Sequence, residues 1–222
     1  MRTDNGRPTP LAWTLVIPLK PLARAKSRLV EPAVAPLRPS LALAFAQDTV
    51  AAAAACPAVR DVVVVTDDEL AGRELSALGA RIVRDEPGTG LNAALRHGEQ
   101  AVRALRPEAA IAALNADLPA LRPAELTAVL DNAAQFPRAF LADAAGIGTT
   151  LLSASPGTEL APAFGGASRA RHTASGAVEL TLAGVESVRQ DVDTWEDLQA
   201  AHRLGLGPRS AEMFRRSAES PA

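Results

Sequence analysis

Two hydrophobic patterns alternate along the chain, and together they predict a series of strands and helices. Short apolar or β-branched runs are typical of buried strands, whereas longer segments rich in Ala and Leu favour helices. The predicted strands are residues 11–17, 61–66, 80–84, 109–114, 138–143, 150–153, 178–182 and 187–190. The predicted helices are residues 39–55, 67–78, 93–105 and 123–134, a short helix within 164–176, and a helix that Thr194 caps.

The order of these elements indicates the fold class. Strands and helices alternate through residue 135, which is typical of an α/β fold whose mostly parallel sheet carries helices on both faces. A chain of 222 residues is long enough for one sizeable core. We therefore expect a flexible tail over residues 1–10, a single domain over 11–205, and a loose C-terminal tail over 206–222.

The composition argues against several classes of function. The formal net charge of −2 lacks the basic excess of a general nucleic-acid binder. Cys56 is the only cysteine, which excludes an intramolecular disulfide and a zinc site built from cysteines. No apolar run approaches the length of a membrane span, and the first ten residues lack a signal-like apolar core. We expect a cytoplasmic protein with neither nucleic acid nor membrane as a partner.

Basic residues cluster in the loop after the first predicted strand. The loop holds Lys20, Arg24, Lys26 and Arg28, and its two lysines are the only ones in the chain. A lysine ammonium suits a phosphate as a point charge, and loops at the carboxyl ends of strands commonly hold phosphates. The alternative is a solvated charged loop. The chain contains neither a P-loop motif nor the GxGxxG dinucleotide-binding motif.

Three aspartates at predicted strand ends form a second candidate cluster. Asp117 follows the strand 109–114, and Asp191 and Asp193 follow the last predicted strand. Carboxylates that converge at neighbouring strand ends are suited to a divalent cation that binds a nucleoside triphosphate. The alternatives are that Asp117 only stabilises a turn and that the other two cap the helix at Thr194.

Two loops with small residues form a third candidate site. Residues 146–149 read GIGT, and residues 164–172 read FGGASRARH. Small residues expose backbone N–H groups, and such a nest suits a phosphate or a carboxylate. Taken singly, Arg171 is typical of a surface and His172 is more often structural than catalytic.

With these residues laid out, the chain resembles the guanylyltransferases of coenzyme F420 biosynthesis, which join GMP to phosphoenolpyruvate or 2-phospho-L-lactate. The matching stretches are IPLKPLARAKSRL (17–29), GLNAAL (90–95), NADLPAL (115–121), FLADAAGIGTTLL (140–152), FGGASRARHTASGAVEL (164–180) and DVDTWEDL (191–198). They span nearly the whole chain in the family's order. DLP and DVDT recur in many nucleotidyltransferases, but the combination of KPL…AKSRL, GxGT and FG…S…RH is specific.

The resemblance implies the fold, the cofactor and the substrate sites. It implies a single-domain nucleotidyltransferase of the GT-A-like, Rossmann-like type, with a mixed sheet flanked by helices. The expected ligands of Mg²⁺ are Asp117, Asp191 and Asp193. The residues expected to bind the three-carbon phosphoacid are Thr149, Gly165 and Ser168. The residues expected to bind the nucleotide are Lys20, Arg24, Lys26, Arg28 and Asn92, the last of them at the base or ribose.

The resemblance also implies direct nucleotidyl transfer, with Lys26 and Asp117 as catalytic residues. We expect phosphoenolpyruvate as the acceptor, GTP as the donor, and hand-off of the product to the next pathway enzyme. The alternative acceptors are 2-phospho-L-lactate and 3-phosphoglycerate. A cytidylyl- or guanylyltransferase acting on a molybdenum cofactor would carry a glycine-rich LAGGxSxRxG loop, which is absent. A catalytically silent GTP-binding regulatory protein is the alternative from another class.

Overall fold

The computed structural model describes residues 11–31, 34–86 and 88–219. Within them the chain forms seven strands and eight α-helices. The strands are β1 (Trp13–Pro18), β2 (Val59–Val65), β3 (Arg81–Val83), β4 (Ala110–Leu114), β5 (Arg138–Ala142), β6 (Thr149–Ala154) and β7 (Val178–Glu179). The helices are α1 (Arg38–Ala54), α2 (Glu69–Ser76), α3 (Leu91–Arg103), α4 (Pro123–Ala133), α5 (Ser168–Ala174), α6 (Glu186–Arg189), α7 (Trp195–Leu204) and α8 (Pro208–Glu219).

All seven strands belong to one sheet, in the order β3-β2-β1-β4-β6-β5-β7. Strand β6 is antiparallel to β4 and β5, and every other neighbouring pair is parallel. The prediction of an α/β fold with a mixed, mostly parallel sheet is confirmed. Because β1 and β4 are parallel neighbours, the loops after them meet at one edge of the sheet. The beginning of the antiparallel β6 lies at the same edge.

Hydrophobic side chains on both faces of the sheet are buried. Along β1, Leu15 and Ile17 pack in one core cluster, while Val16 packs in a second cluster with Leu95 of α3. Successive side chains of a strand point to opposite faces, so this division shows that helices cover both. All five residues of β4 are buried, which agrees with its continuous apolar sequence.

The predicted strand over residues 187–190 was wrong, because this segment forms helix α6. Ser187 ties the segment to α4: its N–H donates to Glu125 Oε2 at 2.8 Å, and its hydroxyl accepts from the N–H of Arg122 at 3.0 Å. The Arg189 side chain donates to the carbonyl oxygen of Ala142 at 2.8 Å. These bonds hold the segment beside the sheet rather than within it. The preceding strand, β7, is also shorter than the predicted 178–182.

The predicted loose segment at the C-terminus was wrong for residues 208–219, which form helix α8. The buried Asp48 of α1 caps this helix, since its Oδ2 accepts from the N–H of Ser210 at 2.7 Å. A β-carbon at Gly207 would collide with the Asp48 side chain. Phe214 stacks on Trp195 of α7. The predicted tail over residues 1–10 lies outside the described residues.

Within the described ranges, no helix combines the length and the apolar character needed to cross a bilayer.

Candidate active site

The loop after β1 places Lys26 among the acidic residues of the sheet edge. A single 3₁₀ turn, Leu22–Arg24, anchors the loop, because the N–H of Leu22 donates to Asp68 Oδ2 at 2.9 Å. Lys26 then adopts a left-handed backbone conformation with φ of 54°, which is uncommon for a residue with a β-carbon. Its ammonium contacts Asp117 Oδ2 and lies 3.4 Å from Asp193 Oδ1. Lys26 and Asp117, the two predicted catalytic residues, are therefore in direct contact.

The other cations of the loop are exposed. Lys20 and Arg24 lie at the surface, and the guanidinium of Arg28 lies 3.7 Å from Asp193 Oδ2. Arg28 is 75% exposed, so this pair contributes little to stability. Lys20, Arg24 and Arg28 lie close to Lys26 in the sequence. Their side chains are accessible to an anion that binds at this loop.

The three predicted metal ligands gather at the edge where β4 ends. The backbone N–H of Val192 donates to the carbonyl oxygen of Asp117 at 3.1 Å, which brings the 191–193 segment against the end of β4. On one side of this contact, Asn115 Nδ2 donates to Asp191 Oδ2 at 3.2 Å. On the other side, Asp193 faces the Lys26 ammonium.

The charges of this cluster perturb one another. Burial raises the pKa of Asp191 well above its ordinary value, and the carboxylates of Asp117, Asp193 and Asp143 raise it further. Burial by itself would lower the pKa of Lys26, but Asp117, Asp193 and Asp191 outweigh it, and the net shift is upward. The site thus concentrates negative charge and keeps Lys26 protonated.

The chemistry of these residues fits a hard cation, although the predicted three-carboxylate metal site is not preformed. Across residues 11–31, 34–86 and 88–219, no group of three acidic, histidine or cysteine side chains is arranged to hold a metal ion. The physical reason is that the ammonium of Lys26 already lies between two of the carboxylates. Asp117 Oδ1 is nevertheless buried without a hydrogen-bond partner in this part of the chain. A buried, unpaired carboxylate oxygen is a suitable ligand for Mg²⁺ or a similar ion.

Thr149 and Ser168, two of the residues predicted to bind the acid, lie together at the same edge. Both side chains are buried, and the Ser168 hydroxyl donates to Thr149 Oγ1 at 3.2 Å. His172 lies beneath them, with Nδ1 at 3.0 Å from Thr149 Oγ1. Its position was missed by sequence reasoning, although Ser168 and His172 have the i, i+4 spacing that places two residues on one helix face.

The third predicted residue of this group, Gly165, is exposed and has φ of 94°, a conformation that favours glycine. The Arg171 side chain donates to its carbonyl oxygen and to that of Ala163. Arg171 is exposed, as expected of a surface residue, and its side chain also holds the glycine loop in place.

Asp143 organises the GIGT turn and was also missed by sequence reasoning. Its two carboxylate oxygens accept from the N–H groups of Ile147 and Gly148 at 2.9 and 2.8 Å. A β-carbon at Gly148 would collide with this carboxylate, so the turn requires glycine there. The sequence did carry a signal for this role, because an aspartate a few residues before a glycine turn commonly accepts hydrogen bonds from the backbone of that turn.

Asn92 connects two predicted sites. Its amide donates to the carbonyl oxygen of Phe164 at 3.1 Å and accepts from the N–H of Phe164 at 2.8 Å. Both polar ends of this side chain thus fix the glycine loop against the beginning of α3. A contact between Asn92 and the base or ribose stays a prediction.

The family relationship follows from comparison with known proteins. A family model described as guanylyl transferase, CofC-like, matches residues 13–217, which is nearly the whole chain. The chain belongs to the CofC-like guanylyl transferases. This confirms the resemblance inferred from the sequence.

Known relatives of this CofC-like chain cover almost its full length. A phosphoenolpyruvate guanylyltransferase from Streptomyces coelicolor is 71% identical over 206 residues, covering 93% of this chain and 97% of the relative. A solved nucleotidyl transferase from Methanothermobacter has a TM-score of 0.60 at 21% identity, covering 87% of this chain and 97% of its own. The manganese complex of Rv0371c from Mycobacterium tuberculosis has a TM-score of 0.54 at 21% identity, covering 86% and 97%. The two structures support the nucleotidyltransferase fold.

Proposed function

We propose that this CofC-like protein is a phosphoenolpyruvate guanylyltransferase, which joins GMP from GTP to phosphoenolpyruvate and releases pyrophosphate. The observation that carries the proposal is the convergence of two sites at one sheet edge. Lys26 and Asp117 provide charged groups for a nucleotide, and Thr149, whose hydroxyl accepts from Ser168, provides a donor for a second anion. The name and the high identity of the Streptomyces relative support the choice of phosphoenolpyruvate.

In the proposed reaction, a phosphate oxygen of phosphoenolpyruvate attacks the α-phosphorus of GTP. The new P–O bond forms as the bond from the α-phosphorus to the bridging oxygen of the β-phosphate breaks, and the electron pair leaves with pyrophosphate. The attacking phosphate is already anionic at neutral pH, so the protein needs no general base. Alignment and neutralisation of charge then supply most of the rate enhancement.

The protein's own residues divide this work between them. The Lys26 ammonium would hold the triphosphate as a protonated point charge. The exposed side chains of Lys20, Arg24 and Arg28 would extend positive charge along the same loop.

The acidic residues would hold a divalent metal ion, which we propose to be Mg²⁺. Asp117, Asp191 and Asp193 are the proposed ligands, and the unpaired Asp117 Oδ1 supports that assignment. When bound, the cation neutralises negative charge on the α-phosphate and on the leaving group.

The acid would bind at the Thr149 hydroxyl, beside Ser168, and at the glycine loop. Thr149 and Ser168 are buried, so polar contacts there act in surroundings of low dielectric constant, where they are stronger than in water. Gly165 would offer backbone contacts from the exposed side of the same site. The product, a guanylylated phosphoacid, would pass to the next enzyme of coenzyme F420 biosynthesis.

Pyrophosphate release with GTP and each candidate acid tests this proposal. We expect turnover with Mg²⁺ and phosphoenolpyruvate, and lower kcat/KM for 2-phospho-L-lactate and 3-phosphoglycerate. The acids differ around C2 and C3 while sharing phosphate and carboxylate, so the preference should be about 10- to 200-fold. A preference for another acid would change the substrate but keep guanylyl transfer. Binding of GTP without pyrophosphate release in the presence of any of these acids would refute the proposal.

A further inference from the structure

Both ring nitrogens of His172 are hydrogen-bonded, and the proposed guanylyl transfer assigns no role to this side chain. The side chain is fully buried, with the rings of Phe140 and Phe164 packed against it. Its Nε2 lies 3.0 Å from the backbone nitrogen of Ala163, in hydrogen-bonding geometry. A backbone N–H can only donate, so Nε2 must accept and carries no proton.

The proton of the neutral ring therefore resides on Nδ1. Nδ1 lies 3.0 Å from Thr149 Oγ1, so the imidazole donates to the Thr149 hydroxyl oxygen. Burial, together with the positive charges of Arg138 and Arg171, lowers the pKa of His172 to about 4. The ring is thus neutral at ordinary pH, with one tautomer selected by Ala163.

The Thr149 hydroxyl receives a second hydrogen bond from Ser168 Oγ, at 3.2 Å. A hydroxyl oxygen has two acceptor positions and one proton to donate. The bonds from His172 and Ser168 occupy both acceptor positions. In the part of the chain that the structure describes, no residue accepts the Thr149 proton.

We infer that His172 is a positioning residue that fixes the Thr149 hydroxyl as a donor to an anionic oxygen of the acid substrate. This inference rests on the proposed function. A phosphate or carboxylate offers only acceptors, so it gains from a hydroxyl whose proton points towards it. A Thr149 hydroxyl that donated to the histidine instead would present lone pairs to the anion. His172 and Ser168 prevent that orientation.

A double-mutant cycle on acid binding tests the inference. Thr149→Val removes the hydroxyl with little change of shape, and His172→Leu removes the imidazole donor. We expect each change alone to raise the KM for phosphoenolpyruvate by roughly 10- to 100-fold, the range for a hydrogen bond to a charged group. In the Thr149→Val background, His172→Leu should raise that KM no further. The KM for GTP should stay near the wild-type value in all variants.

Two further histidine variants separate positioning from packing. The amide of His172→Asn can place an N–H near the Nδ1 position and donate to Thr149. The longer His172→Gln reaches the Nε2 position, where it can accept from Ala163 but leaves Thr149 without its donor. We expect Asn to retain more acid affinity than Gln, and this comparison remains available if His172→Leu does not fold. His202→Leu, on α7, is a control that should leave the KM for the acid unchanged.

The possible results distinguish this inference from the proposed function. Additive effects of Thr149→Val and His172→Leu, or equal acid affinities for His172→Asn and His172→Gln, would overturn the role of His172 alone. A parallel rise in the KM for GTP would also overturn it, because a general distortion would then explain the loss. Absence of turnover in the wild type with every acid would instead refute the guanylyltransferase proposal, and with it this inference.

Discussion

Deleting the charge of Lys26 is the most direct test of the electrostatics of the site. Lys26→Met keeps an unbranched side chain and removes the ammonium. In the structure, that ammonium contacts Asp117 and lies 3.4 Å from Asp193, and the Lys26 side chain is only 8% exposed. We expect the variant to fold, to be less stable, and to lose most of its turnover of GTP.

The ion pairs of Lys26 with Asp117 and Asp193 determine how much the free energy of unfolding of Lys26→Met should fall. Asp193 is 52% exposed, so its pair with Lys26 contributes at most about 1 kcal/mol. Asp117 is only 21% exposed, and leaving a buried charge without its partner typically costs about 3–5 kcal/mol. Two effects reduce that cost: Asp117 is partly exposed, and the variant no longer has to bury the Lys26 ammonium. We therefore expect the free energy of unfolding to fall by about 1–3 kcal/mol.

The loss of activity should be larger than the loss of stability implies. A preorganised group that stabilises transition-state charge is typically worth about 100- to 1,000-fold in kcat. Pyrophosphate release at varied GTP concentration measures this effect, and urea unfolding measures stability. Lys26→Arg should recover only part of the activity, because a planar guanidinium replaces a compact ammonium. Arg60→Ala, which changes an exposed cation on β2, is the matched control. Unchanged GTP kinetics in Lys26→Met would refute the assignment of Lys26 to the triphosphate.

Three other predictions follow from single residues. Asp193→Asn should remove most turnover at ordinary Mg²⁺ while leaving the fold intact, because the proposed cation site would lose a negative ligand. Full turnover would refute Asp193 as a metal ligand. Asp48→Ala should cost about 1–2 kcal/mol in urea unfolding, because α8 loses its cap, while Asp131→Ala on exposed α4 surface should cost little. The unfolded chain protonates His172 near pH 6.5, but in the folded protein burial and the positive charges of Arg138 and Arg171 lower the pKa of His172 to about 4. Stability should therefore fall by up to roughly 3 kcal/mol as pH drops through that window, and a smaller fall in wild type than in His172→Asn would contradict this.

Local sequence patterns predicted most of the fold because each element carried its own signal. The β-branched run of β2 and the helix start at Thr194 are examples, and the Thr194–Asp197 capping box is present in the structure. Helix α8 could not be predicted in this way. Its cap is supplied by Asp48, which is 162 residues away from Ser210 in sequence. The predicted strand over residues 187–190 was wrong for a similar reason, because hydrogen bonds to α4 determine the conformation of this segment.

The candidate site was predictable where topology alone brings residues together. Lys26 and Asp117 both follow strands that are parallel neighbours, so their proximity follows from the fold. Their direct ion pair depends on the left-handed backbone at Lys26, which no local pattern indicates. The role of His172 depends on a hydrogen bond from Ala163, in a loop without regular structure. Such contacts require the tertiary structure.

The hydrophobic core explains how like charges can be held together at this edge. Val192 is buried in the core, whereas the flanking Asp191 is only half-buried and Asp193 is exposed. Val192 belongs to the same buried cluster as Leu29, which lies three residues after Lys26. Burying each of these aliphatic side chains contributes about 1.5–3 kcal/mol. Packing of Val192 and Leu29 therefore supplies free energy that offsets repulsion among the carboxylates, and the same packing places the opposite charge of Lys26 beside them.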